Sequence, residues 1–140
     1  MVSDVHLVRI VVAGIVGAAA MVIATYLFHA LGLPMVDFGR LLATKILRYH
    51  SHGTRLGLVL HLVNGVVLAI IYALLVDVVP GPDWVRGLGY GAALWLVMMV
   101  VALPMFGDGF FGSRGPRGTV LSSFAVHLVY GLILGLAVSK

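Results

Sequence analysis

The run LGLVLHLVNGVVLAIIYALLV, residues 56–76, has no Lys, Arg, Asp or Glu in 21 consecutive positions. A helix needs about 20 apolar residues to cross the hydrocarbon of a bilayer, so this run reads as a membrane span. Three further uncharged runs of comparable length, 10–36, 87–107 and 118–139, accompany it. The chain is 61% hydrophobic and 10% charged, with a mean hydropathy of +1.13, more apolar surface than a water-soluble core of 140 residues can bury. Barrel strands would show segments of about ten residues with in/out alternation. Continuous runs instead require helices, which satisfy their own backbone in lipid. The fold class is therefore an all-α membrane protein of four transmembrane helices, forming a single domain over 1–140.

The absence of cysteine excludes disulfides, thiolate metal sites and cysteine nucleophiles. The net charge of +4 reads as membrane-flank charge, not as a nucleic-acid footprint. Arg40, Lys45, Arg48, Arg55, Arg114 and Arg117 fall in the first and third connections, against Arg9, Arg86 and Lys140 elsewhere. That bias places loops one and three in the cytoplasm and both termini outside, in a prokaryotic inner membrane. In the first loop, Phe38, Leu41, Leu42, Ile46 and Leu47 can share one face with Arg40, Lys45 and Arg48 turned away, a short interfacial helix on lipid headgroups. A solvated helix with flank charges is the plainer alternative. Trp84, beside the Pro/Gly turn DVVPGPDWVR, is an interface anchor.

The two halves echo each other. HLVNG at 61–65 returns as HLVYG at 127–131, an offset of 66, and LPM at 33–35 returns at 103–105, an offset of 70. The pattern is a tandem repeat of two-helix units, roughly 8–78 and 85–139. Two spans per unit send both copies into the membrane in the same direction, related by a pseudo-twofold along its normal. His61 and His127 then lie at similar depths. Each sits in a ridge of small residues at four-residue spacing, including Gly65 and Gly131, and such ridges let helix backbones approach closely.

Three readings of the histidines follow. They can clasp a close helix pair through Asn64, Ser123 or a backbone carbonyl. They can ligate a haem b or chlorin from opposite faces, with Gly65 and Gly131 making room for the ring. With His29 they can form a metal or proton-relay site. His50 and His52 read as loop residues. Asp37 and Asp108, after Pro34 and Pro104, read as caps and loop anchors in preference to solute-facing carboxylates, and Phe110 and Phe111 as side chains dipping into the interface.

No catalytic set emerges: the spans contain no acid, and neither a metalloprotease His-Glu motif nor a nucleophile elbow occurs. The ridges point to a non-enzymatic membrane component, an accessory or scaffolding protein that packs with other membrane subunits or as a homo-oligomer in the lipid bilayer. Haem or pigment binding with electron transfer is the alternative, and transport of a small solute or protons by an oligomer the third. Taken together, GLPMVDFGRLL, HLVNGVVLAIIYALL, RGLGYGAALWLVMMVVALPMFGDGFF and HLVYGLILGL resemble a family of small prokaryotic four-helix membrane proteins known only as a domain of unknown function. That resemblance covers most of the chain. It implies the architecture and carries no activity with it.

Overall fold

The computed structural model describes residues 4–34, 41–48 and 53–138. Four helices are long and apolar enough to cross a membrane: α1 (Asp4–Ala30), α2 (Gly53–Leu75), α3 (Asp83–Phe106) and α4 (Thr119–Val138). No strand occurs among the described residues. This is the all-α membrane architecture that the hydropathy requires.

Local chemistry sets the helix ends. Between α2 and α3 the chain turns at Gly81, whose φ of 119° is open to glycine without steric cost. The Pro82 carbonyl then accepts the N–H groups of Val85 and Arg86. Asp83 stands in the first turn of α3, where a negative charge meets the positive end of the helix dipole, and pairs with Arg86 at 3.3 Å. Helices α1 and α3 finish in the same way. Gly32 and Gly107 take positive φ; their N–H groups bond the carbonyls of His29 and Pro104, and those of Leu33 and Asp108 bond Phe28 and Leu103. Both are Schellman caps.

The Leu-Pro-Met stretches, matched by sequence, are not structurally equivalent. Pro34 lies beyond the cap of α1, whereas Pro104 lies within the last turn of α3. There it lacks the N–H that would bond the carbonyl one turn back, and α3 passes through a π-helical turn at Met98–Ala102 immediately before it. Met98, Met99 and Leu103 are buried at this irregular turn, against Trp95 and Ala102.

Helix α1 packs along both α2 and α4, and α4 along both α1 and α3. In each sequential hairpin small residues make the closest approach. A Cβ on Gly65 would meet Ala18 and the Gly14 carbonyl, and a Cβ on Gly131 would meet Gly87 and Gly91. Helices α2 and α3, in contrast, meet mainly through side chains. The rings of Tyr72 and Tyr90 lie 5.1 Å apart, and the Tyr90 hydroxyl donates to the Leu68 carbonyl at 2.7 Å. A full pseudo-twofold would give α2 and α3 the contact that α1 and α4 have, so the bundle departs from that expectation and is parted on one side.

In the first connection the described residues form one short π-helical turn, Leu42–Ile46, with Ala43 buried and Lys45 and Leu47 exposed. Of the interfacial helix read from the sequence, Phe38 and Arg40 lie outside the described residues, as do Asp37, His50 and His52. Trp84 is exposed at the start of α3. Phe110 is exposed in the third connection, and Phe111 turns its ring to within 5.9 Å of Trp95.

Candidate functional site

The parting between α2 and α3 holds a cavity of about 420 Å³, with α1 and α4 as its back wall. Volumes of several hundred Å³ with mostly apolar walls and a few convergent polar groups are typical of small-molecule sites. Helix α2 presents Arg55, Leu58, His61, Asn64 and Leu68 to it, spaced three and four apart as one helical face demands. The opposite side is apolar, with Leu94, Val97 and Met98 of α3. Leu58 and Val97, on the two sides of the parting, are exposed, so the cavity reaches the lipid-facing surface between them. Arg55, Phe28 and Pro34 lie at the end nearest loops one and three, and Leu68 and Tyr130 at the deep end. Below that the Tyr72–Tyr90 pair bridges α2 to α3.

His61 and His127 both line this cavity, so the structure brings together the pair that the repeat singles out. Their rings are held differently. His61 Nε2 is 3.3 Å from the Ala18 carbonyl on α1, and His127 Nδ1 is 2.7 Å from the Ser123 carbonyl one turn back on its own helix. A carbonyl only accepts, so each of these nitrogens carries the hydrogen. The two rings thus bond through different nitrogens, Nε2 in His61 and Nδ1 in His127. His127 turns its Nε2 edge away from its helix, and the clasp across a helix pair is made by His61 alone.

The remaining walls are tied by hydroxyl groups. Tyr130 is 1% exposed and donates to the Gly65 carbonyl at 2.5 Å, fastening α4 to α2 across α1. Its ring lies over Gly17, where any Cβ would strike it. The Trp95 indole donates to Ser123 Oγ at 3.2 Å, and Ser123 donates to the Thr119 carbonyl. Ser122 donates to the Pro34 carbonyl at 3.3 Å, tethering the chain after α1 to the mouth.

Gly65 and Gly131 do not leave a slot for a flat ring. The space beside Gly65 is taken by Gly14 and Ala18, and that beside Gly131 by Gly87 and Gly91. The Nε2 of His61 is directed at Ala18, so ligation of a haem or chlorin by this ring would fall to its Nδ1. His29 stands apart from the pair: it is exposed at the end of α1, with Nδ1 donating to the Leu33 carbonyl at 3.2 Å. Among the described residues no three His, Cys, Asp or Glu side chains gather as a metal ion requires. The metal set of His29, His61 and His127 is thus not assembled, because α1 carries His29 away from the cavity.

The small ridges are mostly consumed inside the chain. Gly89 is the exception, with open space beside it on the outer face of α3. Reading the sequence missed two members of the site. Arg55 passed as a flank charge, and Tyr130, although three residues after His127, received no role; a phenol buried in an apolar span usually finds a hydrogen-bond partner, and that was the available signal.

Residues 5–140 match a family described as a family of unknown function (DUF6789). No curated protein and no solved structure matches the chain.

Proposed function

Because the chain belongs to this family of unknown function, the site itself has to supply the reading, and we propose that it is a non-catalytic membrane component that holds a lipid-soluble molecule between α2 and α3. The observation that carries this is the placing of His61 and His127 on one cavity of about 420 Å³ that reaches the lipid-facing surface. Ionisable side chains within a span are costly to keep there and mark functional positions. Around them the wall is apolar, which suits a ligand with one polar group and a hydrocarbon body. By the Lys/Arg balance the Arg55 end faces the cytoplasm. A cysteine introduced at Ser113 is then labelled only by a reagent that crosses the membrane, and labelling from outside reverses the orientation.

Binding is tested with purified protein in lipid nanodiscs and a fluorescent long-chain probe. Saturable binding at one site per chain is expected. His61→Ala and His127→Ala should each weaken it about tenfold, the scale of one lost hydrogen bond in a water-poor site. Probe uptake that never saturates, or that both variants leave unchanged, sinks the proposal.

A further inference from the structure

The cavity is elongated along the helices and carries a fixed charge at one end. Along α2 the lining runs from Arg55 to Leu68, about 20 Å at the helical rise, and along α4 from Ser122 to Tyr130, about 12 Å. A space of that length takes an extended hydrocarbon chain lying along the helices. Arg55 and Ser122 stand at the end nearest loops one and three, with His61, Asn64 and His127 further in. Among the described lining residues Arg55 alone carries a fixed charge, and no carboxylate lines the wall. Its guanidinium is always protonated and matches the geometry of carboxylate or phosphate oxygens.

Resting on the binding reading above, we propose that the ligand is a hydrocarbon chain ending in an anionic group, with the anion at Arg55 and the chain extending toward Tyr130. Two sources offer this chemistry, a free long-chain acid and one acyl tail of an anionic phospholipid whose phosphate stays at the mouth. Exposed Leu58 and Val97 flank the route by which either enters from the bilayer.

The test displaces the fluorescent probe from the full chain in nanodiscs of zwitterionic lipid, comparing a long-chain carboxylate with the alcohol of equal length. The carboxylate should compete about tenfold more strongly, as a charge-assisted hydrogen bond allows. Arg55→Gln should remove that preference, while Arg55→Lys should keep most of it. A parallel series replaces part of the zwitterionic lipid with phosphatidylglycerol. Displacement by the bilayer lipid itself, dependent on Arg55, assigns the site to a phospholipid tail, and displacement by the added acid alone assigns it to the free acid. Equal competition by carboxylate and alcohol with no effect of phosphatidylglycerol, or a preference that survives Arg55→Gln, overturns the anionic class while leaving the cavity as a binding site. No saturable probe binding in any nanodisc overturns both.

Discussion

Tyr130 is the side chain on which the inner wall of the cavity depends. It fills the groove over Gly17 and reaches the Gly65 carbonyl with its hydroxyl, so three helices meet at one residue. Removing only the oxygen in Tyr130→Phe leaves the ring in place and orphans little, because the carbonyl it relieves still bonds within its own helix. The loss of stability should be about 1 kcal/mol, the range of interhelical hydrogen bonds in membranes. Reversible unfolding in mixed micelles measures it, and a loss above several kcal/mol would show that the hydroxyl does more than fasten α4 to α2. This residue was readable in the sequence only as a phenol in need of a partner. The partner lies 65 residues away, and no local pattern announces it. His61 and His127 were readable because the repeat writes them twice, yet the different nitrogens through which they bond were not, since these follow from which carbonyl lies beside each ring.

At the scale of the helices, glycine decides which pairs close. Gly87, Gly91, Gly131 and Gly135 bring α3 and α4 into backbone contact, and any Cβ on Gly131 would collide with the Gly87 carbonyl. Gly131→Ala should therefore destabilise the protein by about 1 to 3 kcal/mol, the usual penalty of overpacking. Gly89→Ala, two positions along α3 from both Gly87 and Gly91 but with nothing within 4 Å, should be neutral or slightly stabilising through helix propensity. Thermal unfolding of the two variants side by side checks this, and equal effects would contradict the packing described. The small-residue spacing made close approach of helix backbones legible in advance, without telling which helices meet. The placement of the Leu-Pro-Met stretches was not, because a π-helical turn and a Schellman cap change where each proline falls relative to its helix end, and neither has a signature in hydropathy.

At the scale of the whole molecule, the four spans and their all-α class follow from hydropathy alone, whereas the parting between α2 and α3 does not. Both helices carry aromatic and aliphatic side chains that a sequence would allow to pack, and the Tyr72–Tyr90 pair does join them at one end. The bundle stays parted above that bridge, and this makes a binding chamber out of what would otherwise be a core. Trp95 reports on the chamber because its indole bonds Ser123, which lines it. With Trp84→Phe, Trp95 is the sole tryptophan of the chain. Titrating this variant in nanodiscs with a brominated long-chain acid measures entry directly: the account predicts saturable quenching at one acid per chain, abolished by Leu58→Phe together with Val97→Phe. Quenching that rises linearly without saturation, and is the same in the blocked variant, would mean that Trp95 senses only bulk lipid and that no ligand enters between α2 and α3.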